Sequence, residues 1–222
     1  MANTQDNITT NRNVLIAAWA ISTVATLIAI IAWGQGVRWH ISTLSTYAIF
    51  PLLGLLAFSL MWSHYIAAVM RLSSGVNKVV LHTYFEVTSF VVLVAILLHP
   101  GLLAWQLWRD GLGLPPLSAL HYVAPAFRWA ILFAETSLLL FLAYELRRIF
   151  DKKPWWKYFG YATDLAMILI FFHSLRLGSQ LQHGWLRDVW YFYGVTLLGS
   201  LIYIHGQKFF SPKKAEEYPH AR

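Results

Sequence analysis

Histidine is the residue with which this sequence could do chemistry, because the chain contains nine histidines and no cysteine. The lack of cysteine excludes disulfides, iron–sulfur clusters, thiolate nucleophiles and thiolate zinc sites. Two histidines, His99 and His173, lie inside long apolar stretches, where an ionisable side chain is costly and indicates a function. With a helical rise of about 1.5 Å per residue, His99 lies roughly 9 Å and His173 roughly 6 Å to the same side of the middle of its stretch.

Two histidines at one depth on different helices are the arrangement that a bis-imidazole heme requires, with the porphyrin between the helices and one axial nitrogen from each ring. Arg176 follows His173 by three residues, and Arg128 begins the preceding stretch on the same side. Either guanidinium is a candidate partner for the heme propionates. The alternative is that each histidine bonds a nearby backbone carbonyl and helps the helices to associate.

A second group of polar residues lies near the opposite ends of the stretches. It consists of His64, His82, His205, Glu86 and Asp164. This group indicates a second metal site, a proton relay, a quinone pocket or a hydrogen-bonded cluster at the membrane edge, and the sequence leaves these alternatives open. His82 and His99 are 17 residues apart and therefore face different sides of a helix. Glu135, in another stretch, is expected to have a structural partner.

The composition indicates an integral membrane protein. Of the 222 residues, 58% are hydrophobic and only 12% are charged, about half of the charge that a soluble domain carries. A water-soluble enzyme and a nucleic-acid-binding protein are therefore excluded. Six apolar stretches predict an all-α bundle of six membrane-spanning helices within residues 14–210, near Val14–Trp33, Ile41–Met70, Val79–Trp108, Trp129–Ile149, Phe159–Ser179 and Val189–Phe210.

The basic residues predict the orientation of the bundle, because cytoplasmic loops are rich in Lys and Arg. Five arginines fall on the side of His99 and His173 (Arg38, Arg109, Arg128, Arg176 and Arg187). Twelve basic residues fall on the other side (Arg12, Arg71, Lys78, Arg147, Arg148, Lys152, Lys153, Lys157, Lys208, Lys213, Lys214 and Arg222). Both termini, as tails 1–13 and 211–222, are therefore expected in the cytoplasm of a multi-pass protein of a bacterial or archaeal membrane.

Two segments resemble the ferric reductase-like transmembrane domain family. Residues 156–178, WKYFGYATDLAMILIFFHSLRLG, are similar to the fifth helix of that family, in which a Trp near the cytoplasmic end precedes a heme-ligating His. Residues 97–101, LLHPG, are similar to the ligand-bearing end of its third helix. The length and the six spans also fit, so that the likeness covers about residues 14–210.

The resemblance implies a heme b held by His99 and His173. Family members with two hemes carry another histidine 13 or 14 residues before the one on the fifth helix, but this sequence has Phe159 and Gly160 there. The resemblance therefore supports one heme, and any second one would need ligands from His64, His82 and His205.

The expected function is electron transfer by a cytochrome b-type subunit of a larger redox system, which depends on a partner for any reaction. Only residues 211–222 follow the last stretch, too few for a flavin or nicotinamide domain. Electrons are thus expected from a quinol or a separate reductase, with an acceptor on the outer side. The alternative is a heme-free transporter or assembly scaffold, against which the lack of internal repeats and broken helices counts.

Overall fold

A computed structural model describes residues 2–145 and 159–210, and within these ranges every regular element is helical. One short helix, α4 (Leu117–Tyr122), accompanies six long ones. The long helices are α1 (Ala2–Gly36), α2 (Thr46–Ser73), α3 (His82–Arg109), α5 (Arg128–Glu145), α6 (Phe159–Leu177) and α7 (Trp185–Phe210). Short 3-10 turns precede α2, α3, α5 and α7.

Four of these helices are long and apolar enough to cross a membrane. They cover Asp6–Gly36, Thr46–Ser73, Lys78–Arg109 and Pro125–Tyr144. The helices α6 and α7 occupy the other two predicted positions but are not among the four, and α6 carries Asp164, His173 and Arg176 within its 19 residues. The all-helical fold is thereby confirmed for the described residues, and four helices could cross a membrane, whereas the count of six spans and the cytoplasmic termini stay predictions.

The predicted boundaries differ from the observed ones mainly at the ends of the chain. Residues 2–13, predicted as a separate tail, continue α1 back to Ala2. The tail 211–222 and the end of the fourth stretch at Ile149 lie outside the described residues. The same holds for Trp156 and for eight of the predicted cytoplasmic cations, Arg147, Arg148, Lys152, Lys153, Lys157, Lys213, Lys214 and Arg222.

A row of small residues on α1 explains its close packing against α2. The small buried residues on this helix include Ala18, Ser22, Ala25, Ala29 and Ala32, which recur at intervals of three or four residues and so share one face. Small side chains allow two helix backbones to approach closely inside a membrane. Large apolar residues such as Ile16, Val24 and Leu27 are exposed on the other side of α1, as lipid contact requires.

The helix α2 lies at the centre of the bundle, where it packs against α1, α3 and α7. Its aromatic residues join α6 and α7 in one core. Phe58 stacks on Trp190 at a centroid distance of 4.7 Å and also contacts Phe171, while Trp62 stacks on Tyr193 at 4.1 Å. Trp190 is only 1% exposed.

The helices form two closely packed groups. The first contains α1, α2, α3 and α7, and the second is the pair of α5 and α6. In the described part of the chain, α3 and α6 have little direct backbone packing against each other. The two helices that carry His99 and His173 are therefore separated by space that side chains, or a bound group, must fill.

Contacts between loops and helix ends define one end of the bundle, which we call the outer end after the predicted orientation. Trp185 Nε1 donates to Gln35 Oε1 over 2.9 Å, and Tyr47 donates to Asp110 over 2.5 Å. The opposite end is called the inner end.

Replacement of Ala29 by leucine tests the α1–α2 packing. Ala29 is fully buried, so Ala29→Leu would force the helices apart and cost about 1–3 kcal/mol. Ala20→Leu is the matched control, because Ala20 is exposed on the same helix. Thermal unfolding in detergent would show a lower Tm for Ala29→Leu only, and equal Tm values for both variants would contradict this packing.

Candidate functional site

His99 and His173 make the same kind of hydrogen bond. The Nδ1 atom of His99 lies 2.7 Å from the carbonyl oxygen of Phe50 in α2. The Nδ1 atom of His173 lies 2.9 Å from the carbonyl oxygen of Ala130 in α5. Each histidine thus bonds to the helix next to its own, and both bonds end on a backbone atom.

These bonds fix the tautomer of each ring. A carbonyl oxygen can only accept, so Nδ1 must carry the hydrogen in both residues. A neutral imidazole then has its lone pair on Nε2. Neither Nε2 atom has a hydrogen-bond partner among the described residues. A histidine that ligates a metal uses one nitrogen while the other donates to a carbonyl or carboxylate, which is the arrangement found here twice.

A glycine of α2 makes room for the ring of His99. A Cβ atom placed at Gly54 would come within 2.8 Å of His99 Cε1, closer than real contacts allow, and within 3.3 Å of its Nε2. The ring of Phe50 lies beside the imidazole at a centroid distance of 5.3 Å. Pro100 follows His99 and deprives the Ile96 carbonyl of its helical hydrogen bond.

The neighbour of His173 anchors α6 to α7. Trp190 Nε1 donates to Ser174 Oγ over 2.7 Å, and the serine hydroxyl donates in turn to the Phe171 carbonyl. Phe171 fills a notch at Gly194, where an added Cβ would come within 2.4 Å of the phenyl ring. Contacts on both sides of His173 therefore set the rotation of α6.

His99 and His173 lie on helices that have little direct backbone packing against each other in the described part of the chain. Each is held at the backbone of a different neighbouring helix, α2 or α5. The candidate site is thus a pair of imidazoles with unused Nε2 atoms, one in each helix group.

Arg128 and Arg176 lie close to each other at the outer end. The guanidinium of Arg176 is 5.3 Å from the centre of the Phe127 ring, which directly precedes Arg128. Arg128 Nε donates to the Leu120 carbonyl. Both arginines are exposed, and neither has a carboxylate within 4.0 Å in the described residues. Two cations without anionic partners thus lie on the His173 side of the site.

The structure divides the five inner residues into three separate places. His82 and Glu86 face each other at 3.7 Å, but their side chains are 73% and 71% exposed. His64 bonds Thr88 over 2.6 Å. His205 bonds Asp164 over 2.7 Å. In the part of the chain that the structure describes, no three His, Asp or Glu residues are grouped to hold a metal ion.

Several residues of these sites could not be singled out from the sequence. Asp164 also accepts from Tyr65 over 2.8 Å, which joins α2 to α6 and α7. The hydroxyls of Ser22, Ser63 and Tyr84 form a buried triangle of bonds 2.7–3.1 Å long. Spacing within one helix predicts none of these contacts. For Glu135 no partner is present within residues 2–145 and 159–210, contrary to the expectation.

No protein-family model, no curated protein and no solved structure matches the chain.

Replacement of Ser174 by alanine tests the anchoring of α6. Trp190 is almost fully buried, so Ser174→Ala would leave its Nε1–H unpaired at a cost of about 1–3 kcal/mol. Ser179→Ala is the matched control, since its hydroxyl is exposed and bonds only Gln180. The Tm in detergent would fall for Ser174→Ala alone. An unchanged Tm would show that this bond does not hold the helix.

Proposed function

We propose that the protein is a six-helix membrane cytochrome in which His99 and His173 are the axial ligands of one heme b. The observation that supports the proposal is the pair of imidazoles on α3 and α6, each with Nδ1 bonded to a backbone carbonyl and Nε2 unused. Such ligation requires neutral rings that are oriented by a second hydrogen bond. It also requires helices set apart, and α3 and α6 have little direct packing in the described region.

The residues present fit this group chemically. The backbone carbonyls of Phe50 and Ala130 orient the ligands. Arg128 and Arg176 offer positive charge without a competing carboxylate, as propionates need. When bound, the heme would carry one electron at a time, and the chain would supply ligation, orientation and an apolar environment.

The protein belongs, on this proposal, to the ferric reductase-like transmembrane domain family, and its termini lie in the cytoplasm of a bacterial or archaeal cell. It passes electrons from a quinol or a partner reductase to an acceptor on the outer side. The lipid-facing side chains, for example Phe90, Leu139 and Val195, are large and exposed. A quinol dissolved in the bilayer would have direct access to such a surface. His64, His82 and His205 lie in three separate places, which favours one heme over two.

The competing function is a cofactor-free transporter or scaffold. One observation favours it: a histidine bonded to a carbonyl of a neighbouring helix also serves as a structural contact. A structural pair, however, has no need for two unused Nε2 atoms. The visible spectrum separates the two functions.

Removal of either axial ligand tests the proposal. The purified protein is expected to show a Soret band and a sharp α-band after reduction. His99→Ala and His173→Ala would each reduce the heme content at least ten-fold, because one imidazole alone does not complete the axial coordination. His183→Ala is the control, since His183 is exposed in the loop before α7. A colourless protein from heme-replete cells would refute the cytochrome.

A methyl group at Gly54 tests the place of the His99 ring. Gly54→Ala would push against the imidazole and lower the heme content several-fold, or shift the midpoint potential, since its Cβ would come within 2.8 Å of Cε1. Gly101→Ala is a matched helical substitution beside His99, where an added Cβ meets nothing within 4 Å. Heme-to-protein ratios from absorbance provide the measurement. Equal heme-to-protein ratios and equal midpoint potentials in the two variants would show that the His99 ring does not lie against Gly54.

A further inference from the structure

A cavity lies on the inner side of the histidine pair. It has a volume of about 220 Å³ and is partly open to the surroundings. Its walls come from α2, α3, α5 and α6, and the apolar part includes Val92, Ile96, Phe141 and Met167. Ile96 precedes His99 by three residues, so the cavity begins one helical turn from the proposed ligand. The space suits a single substituted ring rather than an elongated polar molecule.

His64 presents an unused acceptor on the wall of this cavity. Its Nε2 lies 2.6 Å from Thr88 Oγ1. The Thr88 hydroxyl already donates to the Tyr84 carbonyl over 2.6 Å, so it must accept from His64 Nε2–H. The neutral ring therefore has its lone pair on Nδ1, for which the described residues offer no partner.

Tyr65 begins a chain of hydrogen bonds that leads away from the same cavity. Tyr65 lines the cavity, and its hydroxyl donates to Asp164 Oδ1 over 2.8 Å. The other carboxylate oxygen, Oδ2, lies 2.7 Å from His205 Nε2. The His205 side chain is 30% exposed, and its buried Nδ1 has no hydrogen-bond partner among the described residues. The ring of Tyr161 stacks on the imidazole at a centroid distance of 5.0 Å.

Two hydrogen-bond acceptors on the cavity wall come from His64 and Tyr65, and the wall also includes Ser89, Tyr144 and Thr163. His64 has its Nδ1 lone pair, and the Tyr65 oxygen can accept because its own hydrogen is committed to Asp164. A flat ring with two hydroxyl donors matches two acceptors set among apolar side chains. A quinone has only carbonyl acceptors and cannot satisfy either atom.

We propose that this cavity binds the headgroup of a quinol and that Tyr65 and Asp164 take its proton. The inference rests on the proposed function, of which it identifies the electron donor and the donor's binding site. One O–H bond of the quinol breaks as a new one forms at Tyr65 Oη. The former tyrosine hydrogen moves to Asp164 Oδ1. The negative charge of the carboxylate thereby passes to the quinol, which becomes the quinolate anion and loses an electron more readily.

The alternative is that the hydrogen bonds among Tyr65, Asp164 and His205 only hold α2, α6 and α7 together. Such a structural role would affect stability but would not distinguish a quinol from a quinone. It would also leave the pH dependence of electron entry unchanged. The experiment therefore measures ligand preference and pH dependence as well as rate.

The first measurement is anaerobic equilibrium dialysis of the full-length protein in detergent with duroquinol and with duroquinone. We expect the quinol to bind at least five-fold more tightly, and His64→Ala to abolish this preference. His183→Ala, which changes an exposed histidine, would keep it. Equal affinities for quinol and quinone in the wild type would overturn the site.

The second measurement is the rate at which duroquinol reduces the heme between pH 6 and pH 9. Asp164→Asn and Tyr65→Phe would each slow the reduction at least ten-fold and flatten its dependence on pH. Asp6→Asn and Tyr191→Phe, matched changes at exposed residues, would reduce at the wild-type rate. Reduction by dithionite would be complete in every variant.

The outcomes separate the two proposals. If the purified protein shows no Soret band, the proposal that it is a cytochrome is refuted before any quinol is added. The dialysis measurement alone then tests whether the cavity binds a quinol. If the heme spectrum is intact and Asp164→Asn and Tyr65→Phe are reduced at the wild-type rate, the proton route through these residues is refuted. The proposal that the protein is a cytochrome is then unaffected. If Asp164→Asn does not assemble, Tyr65→Phe decides, because it keeps the ring and removes only the hydroxyl.

Discussion

The absence of water inside a bilayer is the constraint on which this structure depends, because a polar group there must find its partner within the protein. The hydroxyls of α1, α2 and α3 meet this requirement in the triangle of Ser22, Ser63 and Tyr84. Trp62 and Trp190 meet it by donating to Thr196 and Ser174. Each of these bonds joins two helices, so the polar residues determine which helices pack together and at what rotation.

Because of the same constraint, the two nitrogens of each buried imidazole have different roles. His99 and His173 use Nδ1 for a backbone carbonyl, which leaves Nε2, the atom farthest from the chain, directed to whatever else lies nearby. His64 and His205 use Nε2 and keep Nδ1, which lies next to their own backbone. An atom that reaches beyond its helix suits a metal between helices, whereas one near the backbone suits hydrogen bonding. The outer and inner histidines thus leave different ring nitrogens unbonded.

The sequence is sufficient to predict features that depend on one helix at a time. Composition indicates the long apolar helices, whereas the common level of His99 and His173 stays a prediction. The sequence also predicts the contact of His82 with Glu86 at i and i+4, but not that this face is exposed. Contacts between distant segments, such as Tyr65 with Asp164 or Gly54 with His99, depend on the rotation of each helix about its axis. Packing determines that rotation, and no periodicity in a uniformly apolar helix reveals it.

A single face of α2 connects the two sites. Phe50, Gly54, Phe58, Met61 and Tyr65 recur at intervals of three or four residues and so form one stripe along the helix. The first two contact His99, Phe58 packs on Trp190, and the last two line the inner cavity. Because a helix is stiff over such a length, any shift of α2 moves the carbonyl that orients His99 together with the hydroxyl that bonds Asp164. The distance between the Phe50 carbonyl that orients the proposed ligand and the Tyr65 hydroxyl that would first accept the proton is therefore set by one helix, which couples the two proposed sites.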